Sequence, residues 1–419
     1  MSKVIKSLFA GAVALGMAQA AVAQIQGVSD TQVVIGSVND LSGIFAAVGV
    51  PAVNGANLKF DEVNAAGGIH GRQIRFVVED HQYQLPRSTQ AYNKLINRDQ
   101  VFANILSLGT PHNLAGFQLM DPKGIFNINP LTAAREMLQE PVENKFTGFS
   151  SYYDQTVAGM RYLASEYGLT KVCTMYLPTD FGLEISEATK EQAESLGMTF
   201  VSETTHKPDE QDFVGAVQKL RSDGCEVVTM ALGVRAGITI VGTAKQLGWT
   251  DVKFLATSAG FLEAVAAVPG GVTDGLYAAA GWVDLQARRE DEAPAKFIAE
   301  YEAAFGQPAT GFAMLGYNAA ETVVMALEAA GPDLTRETFL AAMESIEYYS
   351  DLLDTQMKYT AENHQGANDI TISVVETIYG MNKPITSLND GGVMTRSGLL
   401  TTIVIFNFLF PLPRLPLII

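Results

Sequence analysis

Two hydrophobic periods alternate along most of this chain. Short runs rich in Val, Ile, Leu and Phe recur at 32–38, 73–78, 101–106 and 124–128. Each is the length of a strand and reads as buried. Between them, apolar residues are spaced by three and four. In 51–65, Val53, Ala56, Phe60 and Val63 share one helical face. Helices are also expected over 86–97 and 111–119, and Gly67-Gly68-Ile69-His70-Gly71 is a turn. The alternation restarts after Gly148. Helices are expected at 156–167, 182–196, 212–222 and 237–247, with strands at 171–177, 199–204, 226–232 and 253–256. Three apolar helical segments follow, at 293–305, 312–330 and 335–346.

Strands alternating with helices of this length predict βαβ units and parallel sheets. Two such runs, divided near residue 148, predict an α/β chain of two doubly wound, Rossmann-like lobes. The late helices imply a return to the first lobe through 281–293 and a further crossing at 347–360. Several crossings make a hinge. The expected division is 24–147 plus 281–348 for lobe one and 148–280 plus 349–390 for lobe two.

The ends differ from this body. Lys3 and Lys6 precede an apolar core, and Ala21-Val22-Ala23 has the small-x-small pattern of a cleavage site. Residues 1–23 read as a signal peptide, which places the chain outside the cytoplasm. Residues 391–419 form an atypical apolar tail. Its run at 398–410 is shorter than the ~20 residues that span a bilayer. It reads as an aggregation-prone or frame-shifted end, with a membrane anchor as the alternative.

The chain has 419 residues and a formal net charge of −17, with no cluster of Lys or Arg. Nucleic acid and anionic lipid are poor partners for such a surface. Cys173 and Cys225 lie in or beside strand-like runs. They read as buried thiols, although an oxidising compartment permits a disulfide.

Gly-x-Gly-x-x-Gly, the phosphate-binding Gly-x4-Gly-Lys and His-Glu-x-x-His are all absent, and the five histidines are scattered. No nucleotide, cofactor or metal is expected. One enzyme pattern comes close. Ala256-Thr257-Ser258-Ala259-Gly260 approximates a nucleophile elbow, for which Asp284 and His364 could complete a triad. A small-residue loop facing a cleft explains the same residues and is preferred. Ligands of α/β sheets sit at the carboxyl ends of strands. There, Ser107-Leu108-Gly109-Thr110-Pro111 reads as a helix start with Thr110 as N-cap. Asn129-Pro130-Leu131-Thr132-Ala133 reads the same way, and Thr179-Asp180-Phe181-Gly182 offers an aromatic from the second lobe. Helix-start amides receive carboxylates.

From about Val33 to Ala367 the chain resembles the periplasmic leucine/isoleucine/valine-binding proteins, type I solute-binding proteins of ABC transporters. The resemblance rests on Asn64-Ala-Ala-Gly-Gly-Ile-His-Gly-Arg72, Gly109-Thr110-Pro111, Asp180-Phe181-Gly182 and Asn363-His-Gln-Gly366. It implies two lobes joined by three hinge strands and closing on one ligand. In amino-acid binders of this family the first two loops hold the α-carboxylate. That role falls here on Ser107, Gly109, Thr110, Leu131 and Thr132, with Phe181 covering the ligand. Ser258 stands where an acidic residue would hold the ammonium. Gly233 or Val234 replaces a tyrosine, and Val48 replaces an aromatic. Arg235 is a candidate partner for an acid. The implied function is capture of a small amino acid, or a related carboxylate or amide, by a monomer that delivers it to an inner-membrane ABC permease without chemistry. A ligand-sensing domain of the same fold and a secreted serine hydrolase are the alternatives.

Overall fold

The computed structural model describes residues 25–377 and 401–406. Strand β1 (Gln32–Asn39) is buried along nearly its whole length. That suits the centre of a parallel sheet whose faces are both covered. Helix α1 (Ala46–Ala65) follows, then β2 (Gln73–Asp80), α2 (Leu85–Asn97), β3 (Ala103–Ile105), α3 (Thr110–Met120), β4 (Phe126–Ile128) and β5 (Lys145–Phe146). The sheet order is β2-β1-β3-β4-β5 and every pairing is parallel. Helix α1 starts a turn earlier than the periodicity suggests and carries Pro51 inside it.

The second run is α4 (Tyr152–Tyr167), β6 (Lys171–Tyr176), α5 (Asp180–Leu196), β7 (Thr199–Thr205), α6 (Val214–Ser222), β8 (Val227–Ala231), α7 (Val234–Gln246), β9 (Lys253–Thr257), α8 (Glu263–Ala266) and β10 (Leu276–Ala280). After it come α9 (Glu292–Phe305), α10 (Gly311–Ala330), α11 (Arg336–Met343), the hairpin β11 (Glu347–Ser350) and β12 (Thr355–Lys358), then β13 (Thr371–Thr377) and β14 (Thr401–Phe406). The second sheet runs β14-β13-β10-β9-β8-β6-β7. It is parallel from β7 to β10, and β13 and β14 join antiparallel.

The late helices pack against the first sheet's helices. Helices α1 and α10 touch backbone to backbone. A Cβ on Gly55 would come within 1.9 Å of the Ala313 carbonyl oxygen, and one on Gly316 within 1.9 Å of that of Ala52. Only glycine permits this approach. The stretch 347–367, read in part as second-lobe from the sequence, is held by the first sheet's surroundings. Asn318 Nδ2 donates to the Tyr348 hydroxyl at 2.9 Å, Tyr359 donates to Asn129 Oδ1 at 2.9 Å, and His364 stacks on Phe146 at 4.0 Å. The chain thus passes between the sheets three times, near 147–151, 281–291 and 367–371.

Cys173 and Cys225 form a disulfide, Cα to Cα 5.8 Å, which corrects the reading as thiols. Strands β6 and β8 are neighbours with Cys173 opposite Val228, so a residue just before β8 lies within bridging reach of Cys173. The signal peptide lies outside the described residues, as does most of 391–419. The described part of that tail, 401–406, pairs with β13.

Candidate ligand-binding cleft

Three strands of the first sheet end in left-handed turns. Gln82 and Tyr83 follow β2 at φ 52° and 53°, Leu106 follows β3 at 55°, and Asn129 follows β4 at 46°. Non-glycine residues there are strained by about 1–3 kcal/mol each and persist only when their surroundings hold them. Asn113 Nδ2 donates to the carbonyls of Ser107 and Gly109 at 2.8 and 2.9 Å. Leu131 N–H donates to Ser107 O at 3.0 Å, and Gly109 N–H to Leu131 O at 3.3 Å. The two loops are thereby zipped together. Before α1, the buried Asp40 carboxylate accepts from Gly43 and Phe45 N–H at 2.5 and 2.8 Å, which sets the position of Phe45.

Helix α3 is capped by Gly109 at φ 95°, one residue before the expected Thr110 cap. The positive φ explains the shift, because the chain enters the helix from a conformation that suits glycine. Thr110 is instead helical, and its hydroxyl meets that of Thr132 at 2.7 Å. The second loop does not open an α-helix. Asn129 turns the chain left-handed, and the first helical turn comes later, as a 3-10 turn at Arg135–Leu138.

Between the sheets lies a cavity with about 510 Å³ of empty volume, partly open to solvent. The first lobe contributes Phe45, Val48, Tyr83 and Phe312, with Leu108, Gly109, Thr110, Leu131 and Thr132 from the two loops. From the second run and the crossings come Phe149, Tyr152, Phe181, Ser258, Ala259 and Trp282. The aromatic rings contact one another: Phe45 with Tyr83 at 4.4 Å, Tyr152 with Phe181 at 5.0 Å, and Phe149 with Trp282 at 5.1 Å between centroids. Among the described residues no Asp, Glu, Lys or Arg lines the cavity. The polar lining is the Thr110–Thr132 hydroxyl pair, Ser258, the start of α3 and two phenols. Burial pushes the Tyr152 phenol up to about 12, so it stays a neutral donor beside Thr132.

Of the residues expected from the sequence, Gly109, Thr110, Leu131, Thr132, Phe181 and Ser258 come together on this cavity. Ser107 does not line it. Its hydroxyl is wholly buried, accepting from Val38 N–H at 3.1 Å and from Asn104. Gly233 also stands back. It caps α7, and a Cβ there would lie 3.0 Å from the Phe45 ring, so it backs that ring from across the cleft. Arg235 is exposed in the first turn of α7. The elbow pattern does not build a triad. Ser258 N–H donates to Gln155 Oε1 at 2.9 Å, Asp284 accepts from Ala287 N–H at 2.9 Å, and His364 is bound to the Lys145 carbonyl at 2.9 Å beside β5.

The family model described as periplasmic binding protein matches residues 32–378. The chain belongs to this family. It is a solute-binding protein of the ABC-transporter type and not an enzyme. Its family works in the periplasm. Among curated relatives, an amino acid binding protein of Pseudomonas aeruginosa is 26% identical over 51% of this chain, which spans 58% of that relative's length. Leu/Ile/Val-binding protein homolog 1 of Brucella abortus is 25% identical over 81% of this chain and 88% of its own. Among solved structures, a fatty acid ABC transporter substrate-binding protein from Thermomonospora curvata superposes with a TM-score of 0.75 at 25% identity. That match covers 84% of this chain and 90% of the other. A solute-binding protein from Rhodopseudomonas palustris BisB5, in complex with 3,4-dihydroxybenzoic acid, gives 0.74 at 19% identity over 84% and 95%.

Within this periplasmic binding protein, sequence reasoning missed most of the aromatic wall. Phe45, Tyr83, Phe149, Tyr152, Trp282 and Phe312 sit in segments whose patterns describe helix starts and crossings. A signal was present in Trp282, one of only two tryptophans in the chain, placed in an expected crossing.

Proposed function

We propose that this binding protein captures a small, largely apolar organic carboxylate without an α-amino group and delivers it to an inner-membrane ABC permease. The observation that carries this reading is the lining itself: seven aromatic side chains, a few hydroxyls and no ionised group. An amino acid would bring an ammonium into a cleft with no carboxylate to receive it. Forgoing that charge-assisted bond costs about 1.5–3 kcal/mol, before any desolvation of the cation. A carboxylate is better served. The start of α3, the Thr110 and Thr132 hydroxyls and the Tyr152 phenol offer donors beside the positive end of a helix dipole. The rings then take the ligand's apolar body, and Phe181 and Ser258 meet it from the second lobe. The names of similar proteins include a fatty acid binder and a complex with an aromatic acid, which supports the same class.

A thermal-shift panel of benzoate, 3,4-dihydroxybenzoate, octanoate, leucine, valine and leucinamide tests this. A ligand at 100 times its Kd adds about 2.7 kcal/mol of stability. Raised melting temperatures with the amine-free acids, and none with valine or leucine, are expected. A response confined to the amino acids would sink the proposal and return the protein to the branched-chain reading suggested by its Brucella relative.

A further inference from the structure

The two lobes also touch beside the cleft, through two glutamates that both belong to the second run. On one flank, Glu184 of α5 accepts from Arg135 N–H of the first lobe at 3.0 Å, with the Arg135 guanidinium 3.4 Å away. That carboxylate has a cation for a partner. On the other flank, Glu263 of α8 reaches across to the head of α10, where its Oε1 accepts from Gly311 N–H at 2.6 Å. No cation is there. Glu263 Oε2 is buried with no hydrogen-bond partner, and the titratable group that acts on it is another buried acid, Asp284. The contact also adjoins the cleft wall. A Cβ on Gly311 would lie 3.5 Å from Glu263 Oε1 and 3.3 Å from Trp282 Nε1, and Trp282 and Phe312 both line the cavity.

A carboxylate with one amide donor, an idle second oxygen and an acid for a neighbour is poorly held as an anion. A neutral carboxylic acid suits the site, since its carbonyl oxygen still accepts from Gly311. Parting the lobes would break the Gly311 contact and let water reach Glu263, which favours its ionised form. We propose that Glu263 is a positioning residue for closure, a neutral-acid latch between the lobes that takes up a proton as the cleft shuts. Burial, then Asp284, hold the closed-form carboxyl well above the usual glutamate range, and burial raises Asp284 as well. Closure is therefore favoured as pH falls and resisted as pH rises through that elevated value. Glu184, on the other flank, has Arg135 against it, but burial and then Glu136 raise its carboxyl as well, so it is the second group through which closure responds to pH.

The test needs no ligand, so it stands or falls separately from the proposed ligand class. The radius of gyration of the purified protein is measured by small-angle scattering from pH 5 to pH 9. Wild type is expected to be compact at pH 5 and to expand at higher pH. Glu263→Gln, which keeps the acceptor and carries no charge, should expand less than wild type as pH rises, and adding Glu184→Gln should remove the response that remains. Asp284→Asn should move the midpoint down by roughly half a pH unit or more, because the neighbouring negative charge is gone. Glu263→Ala should be expanded at every pH, with circular dichroism confirming that it is folded. Wild-type dimensions that do not change with pH, or a pH response in Glu263→Gln equal to that of wild type, would overturn the latch.

Discussion

At the scale of single residues, the Tyr83 side of the cavity is backed by two histidines that do not line it. Tyr83 N–H donates to His81 Nδ1 at 2.8 Å, so the other nitrogen, Nε2, carries the proton and donates to Leu108 O at 3.1 Å. His112 stacks on His81 at 4.4 Å and lies 4.6 Å from the Tyr83 ring. Burial, then the like charge His81 would carry, push His112 down to about 3. Its folded value thus lies below the ordinary histidine value, and the unfolded chain binds the extra proton. The stability contributed is complete above about pH 6.5 and is lost as pH falls toward 3, by up to roughly 4 kcal/mol. In His112→Phe the difference in unfolding free energy between pH 8 and pH 4 should shrink by a large part of that amount. Urea titrations at the two values check it, and an unchanged difference would mean that this ring is not what acid attacks.

At the scale of elements, the disulfide ties β6 to the entry of β8 across 52 residues that include α5, β7 and α6. Closing a loop of that length in the unfolded chain stabilises the fold by about 4 kcal/mol in the chain-entropy account. The Cys173→Ala/Cys225→Ala pair should unfold at a clearly lower urea concentration, with about 2–4 kcal/mol lost, while first-lobe contacts such as α1 on α10 are untouched. Equal midpoints would show that packing of Met175, Val228 and Ile185 around the bridge already suffices.

For the whole molecule, three crossings join two sheets that meet over a ring-lined cavity. Contacts across it come in small, separable pieces. Gly233 backs Phe45, Arg135 meets Glu184, and Glu263 meets Gly311. Such contacts suit lobes that open and close about a hinge. Phe181 is the aromatic that helix α5 brings to the cavity. Removing its ring in Phe181→Ala gives up roughly 1.5–3 kcal/mol of apolar burial, about 10- to 100-fold in Kd for whichever panel compound binds. Ligand-free dimensions should be unchanged. Calorimetry and scattering on the same samples check both halves, and unaltered affinity would remove Phe181 from the site.

Hydrophobic period, strand length and turn residues carried the α/β class with its two doubly wound lobes. These are local properties, since a strand buried on both faces must be apolar throughout and a packed helix must show a stripe. The loops at 107–111 and 129–133 were legible for a related reason: ligands gather at strand ends, and Gly109, Thr110 and Thr132 stand there. What the chain's order could not convey was which distant side chains converge. Ser107 looks the same in sequence whether its hydroxyl faces a ligand or accepts from Val38. Cys173 and Cys225 read as thiols until β6 and β8 lay side by side. The aromatic wall comes from six separate segments, and Glu263 meets Gly311 only because the fold returns α10 to the first sheet beside the cleft. Side-chain convergence of this kind is a property of packing between elements, and only the tertiary structure decides it.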